Sequence, residues 1–325
     1  MAVCLLPGLP RAGTTIHTGI VTDWTKELGR VEDGLQPRAR QVPHQGQHPR
    51  AAGGRPAQQP RTRHGFSLKL VPAALVSCSG FVLFVLEQHL AGYALLAGSL
   101  LLAAVLDKAL LRDLALIAAG LVTISLVPIT TDISTGHMIV MGTAMILAVG
   151  IPYSMSRFVF KDHAVRFPVL TGQPWTRAEK WYLLAVVVMG YAVLPAYMAN
   201  TGVYRNWPAV SDPEGIFRLF LGTNALGIWD ELFFICTVFV LLCRHLPVAQ
   251  ANVLQAVLFT SFLWELGFHA WAPFFIFPFA LLQALIFRAT KSLSYIVSIH
   301  LLFDFVLFLV LIHAHNRTWI DIFIY

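Results

Sequence analysis

A chain of 325 residues with 57% hydrophobic and 12% charged residues and a mean hydropathy of +0.67 falls outside the composition of soluble globular proteins. Its apolar runs approach the roughly 20 residues that cross hydrocarbon as helix and lack the alternation of a membrane β-barrel, so the fold class is all-α, a polytopic integral membrane protein with about eight to nine transmembrane helices. Of the net charge of +6, five units come from residues 1–66, where nine Lys/Arg face four Asp/Glu; the membrane part is nearly neutral, its partners are lipids, and no nucleic-acid partner is expected.

In chain order, residues 1–66 are rich in Pro, Gly, Gln, Arg and His and have no apolar periodicity, which predicts a disordered basic tail ahead of a transmembrane domain at 67–325. Met1 to Leu9 is too short and too broken by Pro and Gly for a secretory core, so no cleavable signal is expected. Nine apolar spans follow, at 68–86, 90–106, 110–130, 138–156, 180–200, 216–243, 249–270, 273–288 and 293–313. Lys and Arg concentrate before the first span and in alternate loops, as at Lys108, Arg112, Arg157, Lys161, Arg166, Arg244, Arg288 and Lys291. That alternation predicts a cytoplasmic N-terminus in the plasma (inner) membrane. Asp107, Lys108, Arg112 and Asp113 read as a solvated loop with local ion pairs, and His137, His313 and His315 as interfacial or solvated. Cys4, Cys78, Cys236 and Cys243 form no CxxC pair, which supports neither a disulfide framework nor a thiolate metal site.

Three polar notches interrupt the last spans, where an unsatisfied group costs several kcal/mol. Asp230 and Glu231 are adjacent carboxylates in the sixth span. Such neighbours repel in a low dielectric, which suits one of them to trade protons as a general base. Glu265 and His269 are four residues apart, as are His300 and Asp304, so each pair is expected to stack on one helix face. A carboxylate bonded to one imidazole nitrogen fixes the tautomer and aims the other nitrogen at substrate or water.

These notches resemble the CPBP family of intramembrane endopeptidases, related to the CAAX-prenyl protease and to bacteriocin-processing and immunity proteins. Its pattern is two adjacent glutamates followed by an arginine, a Phe-x-x-x-His and a His-x-x-x-Asn/Asp on successive helices. Asp230-Glu231-Leu232-Phe233-Phe234 matches the first element with Asp for the first Glu and Ile235 in place of the Arg; Ser261 to His269 matches the second with Glu265 for its Phe; His300 to Asp304 matches the third. The resemblance implies a catalytic core at 216–310 that hydrolyses a peptide or membrane-protein substrate. Glu231, or Asp230 in strict register, would be the base that activates water, His269 would assist, and His300 with Asp304 would form the oxyanion side. No cofactor is required by that mechanism.

Two other readings stand beside it. Glu231, His269 and His300, with Asp304 and the nearby acids, are a mixed donor set that zinc or another divalent metal would accept, although the His-Glu-x-x-His signature is missing. A transporter or structural protein could use the same residues to relay protons or hold helices together. The oligomeric state is open. The catalytic reading requires Glu231, His269 and His300 to reach one cavity, yet the spans place His269 near the end of its helix and Glu231 at mid-membrane.

Overall fold

The computed structural model describes residues 67–169, 174–319 and 322–323; the expected disordered tail at 1–66 lies outside them. Among the described residues there are nine long helices and no strand. They are α1 (Leu70–Phe84), α2 (His89–Leu106), α3 (Lys108–Ser125), α4 (Thr135–Val159), α5 (Arg177–Thr201), α6 (Pro213–Cys243), α7 (Val248–Glu265), α8 (Pro273–Thr290) and α9 (Leu293–His315). Six of them, α2, α4, α5, α6, α8 and α9, are long and apolar enough to cross a membrane. The protein is a polytopic all-α membrane protein.

Helix limits follow local chemistry. Asp107 caps α3 by accepting from the Ala109 N–H at 2.7 Å, and Asp212 caps α6 by accepting from the Gly215 N–H at 2.8 Å with Pro213 in the first turn. Thr176 and Glu179 form a reciprocal capping box at the start of α5, and Gly202 ends that helix at φ +70°. In α6 the stretch Glu231–Phe239 winds as π-helix, with the Thr237 hydroxyl donating to the Leu232 carbonyl at 2.9 Å.

Lipid supplies no hydrophobic drive between helices, so association rests on close packing and polar contacts. α6 is the central element: 72% of its most apolar window is buried, against 22% for α2 and for α8. It packs on α4, α7 and α9, and the Trp229 indole N–H donates to the Met145 carbonyl at 2.8 Å. Trp229, Phe233, Phe234 and Phe262 form an aromatic knot between α6 and α7, with Trp229 stacked on Phe233 at 5.1 Å.

One end of the bundle carries an ionic network that corrects the solvated-loop reading of Asp113. Asp113 is on α3 and fully buried, bonded to His245 Nε2 at 2.7 Å and to Arg244 Nη1 at 3.1 Å. Asp162 binds the same Arg244 and Arg112, each at 2.9 Å, and accepts from the Ser156 hydroxyl at 2.7 Å. The partners come from 131 residues away in sequence, too far for a local reading to pair them. His313 is likewise buried, its ring packed on Phe323, because the segment after α9 folds back over it.

Candidate active site

Four of the six residues singled out in the sequence meet at the join of α6 and α9. His300 is the hub. Its Nδ1 lies 2.8 Å from Glu231 Oε1, and its Nε2 lies 3.8 Å from Asp230 Oδ2 and 3.9 Å from Asp304 Oδ1. All four side chains are buried, Asp230 and Glu231 to 1% exposure. The i, i+4 spacing of His300 and Asp304 on α9 does place them on one face, as the periodicity requires. With Glu231 ionised as acceptor, Nδ1 carries the proton and Nε2 points away toward Asp230 and Asp304. Separations of 3.8–3.9 Å exceed a direct hydrogen bond and suit a shared water.

The approach of α9 to α6 depends on Gly227. A methyl group there would meet Asp304 Oδ2 at 2.0 Å and His300 Cδ2 at 3.2 Å, so no side chain other than hydrogen leaves the cluster in place. Gln283 on α8 completes the cluster. Its Nε2 donates to Glu231 Oε1 at 2.7 Å and to the Ile296 carbonyl at 3.3 Å. Glu231 Oε1 is thus held by two donors from two different helices.

Asp230, His300, Asp304 and Gly227 line a cavity of about 330 Å³, while Glu231 stands behind His300. Apart from Thr223 the remaining wall is mainly apolar: Tyr182, Val186 and Met189 from α5, Phe259 and Leu263 from α7, Phe274, Phe275 and Phe279 from α8. Met189 (41% exposed), Phe274 (79%) and Phe275 (48%) stand on the outer surface, so the cavity reaches the apolar flank of the bundle between α5 and α8.

Glu265 and His269 are elsewhere. α7 stops at Glu265 because the chain then turns through Gly267 at φ +111° and Ala270 at φ +60°. The two residues therefore do not stack on one helix face, and neither lines the cavity. His269 is exposed, its ring 4.9 Å from Trp264 and its carbonyl accepting from the Tyr197 hydroxyl at 2.8 Å. Glu265 is half-buried near Glu87 in the turn after α1. The requirement that Glu231, His269 and His300 reach one cavity is not met: His300 borders the cavity, Glu231 touches His300 from behind it, and His269 lies outside. The α7 residues that do reach the wall are Phe259 and Leu263, which keep the spacing of Phe-x-x-x-His with Leu in the place of the histidine.

Residues 212–306 match the Rce1-like family of type II CAAX prenyl endopeptidases. The match runs from Asp212, the cap of α6, into α9, and holds the whole cluster together with Gln283. It agrees with the CAAX-protease resemblance carried by the sequence motifs, and at the level of the family the segment is protease-like. No curated protein and no solved structure matched the chain.

Gln283 and Gly227 were missed in the sequence. Gln283 had a signal, since it is the one uncharged polar residue between Pro273 and Arg288. For a metal, the donor set Glu231, His269 and His300 is not assembled, and among the described residues no group of three or more His, Cys, Asp or Glu is arranged to hold an ion. The residues present do not fit that reading.

Proposed function

We propose that the protein is an intramembrane endopeptidase of the CAAX type whose working groups are Asp230, His300 and Asp304, positioned by Glu231 and Gln283. The observation that carries the reading is the 2.8 Å Glu231–His300 pair across α6 and α9, with Asp230 and Asp304 beside the free imidazole edge at the end of an apolar cavity.

In this mechanism a water sits among His300 Nε2, Asp230 and Asp304. Asp230 takes its proton, the oxygen attacks the scissile carbonyl carbon, and the carbonyl oxygen becomes an alkoxide. An imidazolium held at Nδ1 by Glu231 directs its Nε2–H at that oxygen. Collapse breaks the C–N bond, and Asp230 returns its proton to the leaving amine. Asp230 replaces Glu231 as the base because Asp230 borders the cavity and Glu231 is occupied by two donors. The stretch 216–310 forms the catalytic core of the 67–325 domain, and the basic loops favour a cytoplasmic N-terminus in the plasma (inner) membrane.

Cleavage of a membrane-tethered peptide library by the purified protein tests the reading against Asp230→Asn and His300→Ala. Loss of cleavage in both is expected; three equal activities would sink the proposal. Leu263 at the cavity wall, where the family spacing calls for a histidine, favours a second reading, a relative that binds such segments without cutting them. Saturable binding with no product from any library member would select it.

A further inference from the structure

Away from the central cluster, the loop from Arg157 to Val169 between α4 and α5 gathers positive charge that nothing offsets. Arg157, Lys161 and Arg166 are all exposed on it. Among the described residues none of the three forms an ion pair, because the loop's one acid, Asp162, is engaged by Arg112 and Arg244, each at 2.9 Å. Two of the cations converge on one residue. Arg157 Nη1 donates to His163 Nδ1 at 2.8 Å, and Arg166 Nε donates to the His163 carbonyl at 2.6 Å. With Nδ1 as acceptor the ring is neutral and carries its hydrogen on Nε2. Two guanidiniums gathered on an uncharged residue repel each other, and an anion between them turns that repulsion into attraction.

The shape of the loop is set by its own buried contacts. The Ser156 hydroxyl donates to Asp162 Oδ1 at 2.7 Å and accepts from the Ala164 and Val165 N–H groups at 2.9 and 3.3 Å. Lys161 and His163 stand at φ +56° and +51°, a conformation that non-glycine residues keep only under constraint from their surroundings. The neighbours of the cations identify what carries the anion. Arg157 is in the last turn of α4, a helix of membrane-spanning length, and Phe158 and Val159 beside it are exposed, as is Val169 at the far end of the loop. A free anion makes no use of exposed apolar groups at a helix end. A phospholipid does: its phosphate meets the guanidinium forks while its chains lie along the helix.

We propose that the Arg157–Arg166 loop is a binding site for the phosphate of a phospholipid with net negative charge. The bound lipid has a structural consequence. The Pro168 carbonyl accepts from the Leu293 N–H at 3.0 Å and the Val169 carbonyl from the Ser294 hydroxyl at 2.7 Å, while Asp162 binds Arg244 just after α6. A headgroup that fixes the loop therefore fixes the ends of α6 and α9, the two helices that carry Glu231 and His300.

The probes are phosphatidylglycerol and phosphatidylcholine labelled with dansyl on an acyl chain. Each is titrated into the full chain in detergent, and binding is read by energy transfer from tryptophan. Phosphatidylglycerol is expected to bind about tenfold or more tightly than phosphatidylcholine, and the ratio should fall toward one in Arg157→Gln/Arg166→Gln. Each single variant guards against misfolding of the double and should give an intermediate ratio. Arg177→Gln/Lys180→Gln removes the same charge at the start of α5 and should keep the native ratio. Unlabelled phosphatidylglycerol should also raise the unfolding temperature of the native chain and not that of Arg157→Gln/Arg166→Gln. Equal affinities for the two lipids, an unchanged ratio in the Arg157/Arg166 variants, or an equal fall in the Arg177/Lys180 control overturns the proposal. Displacement of the labelled lipid by excess inorganic phosphate at constant ionic strength overturns the assignment to lipid and leaves a site for free phosphate.

Discussion

Two buried clusters of acids and bases sit in this bundle, and they are built in opposite ways. At the bundle end, Asp113 and Asp162 share Arg112, Arg244 and His245, and every charge meets a counter-charge at 2.7–3.5 Å. In the centre, three carboxylates surround one imidazole, and among the described residues no arginine or lysine borders the cavity and three of the carboxylate oxygens have no hydrogen-bond partner. A paired network holds helices in register. An unpaired one in an apolar cleft is expensive, and its cost is consistent with a site that acts on something else.

Substitutions that affect the clusters differently sharpen this contrast. The largest effect is expected at the hub: His300→Ala should lower peptide cleavage by about 10²–10⁴-fold, the usual worth of a positioned acid–base group, and should also lower the unfolding temperature, because it takes the Nδ1 partner from the buried Glu231. Initial rates on a peptide found in the library screen, with thermal unfolding alongside, check both halves.

Next comes the pairing itself. Asp113→Leu leaves Arg244 and His245 facing a buried apolar group and should cost about 3 kcal/mol, the lower end for breaking a buried pair because the arginines are partly solvated. Asp304→Asn, by contrast, removes an unpartnered charge and should leave stability equal or raised by about 1 kcal/mol. Denaturation of the two variants in one detergent would break the contrast if both lost stability equally.

A smaller loss is expected from Gly227→Ala, whose methyl would press on Asp304 Oδ2 from 2.0 Å. Overpacking of this kind costs about 1–3 kcal/mol and should push α9 off α6, so cleavage falls with stability. Gly222→Ala on the same helix, where a methyl meets nothing within 4 Å, is the control and should behave as the native chain.

The smallest effect is one of pH. Burial pushes the Asp162 carboxyl up, but the Ser156 hydroxyl, the Ala164 N–H and Arg244 together outweigh it and hold the group at about 2, below its ordinary 3.8. A depressed carboxyl stabilises the fold above its unfolded value and loses that contribution as pH falls through the folded one. Unfolding midpoints should therefore drop between about pH 4 and pH 2 in the native chain and drop less in Asp162→Asn.

Much of the bundle was legible in the sequence because hydropathy is local. All nine spans correspond to helices, and the capping role of Asp212 ahead of Pro213 could be read from the residues alone. The seventh span was read five residues too far, to 270 where the helix stops at Glu265: Glu265 to His269 looked helical by spacing, but Gly267 at positive φ ends the helix there. Asp113 was misread for a different reason, since its counter-charges come from a distant helix end.

What the sequence by itself determined is the membrane class, the run of helices and the presence of ionisable groups where lipid disfavours them. Hydropathy and i, i+4 periodicity are properties of single segments, and they were enough for that. Which of those groups meet was decided by tertiary structure alone. Gly227 lets α9 close on α6, the turn at Gly267 carries His269 away, and Gln283 on α8 reaches Glu231. Each of these depends on the distance between helices, and no one-dimensional pattern encodes it.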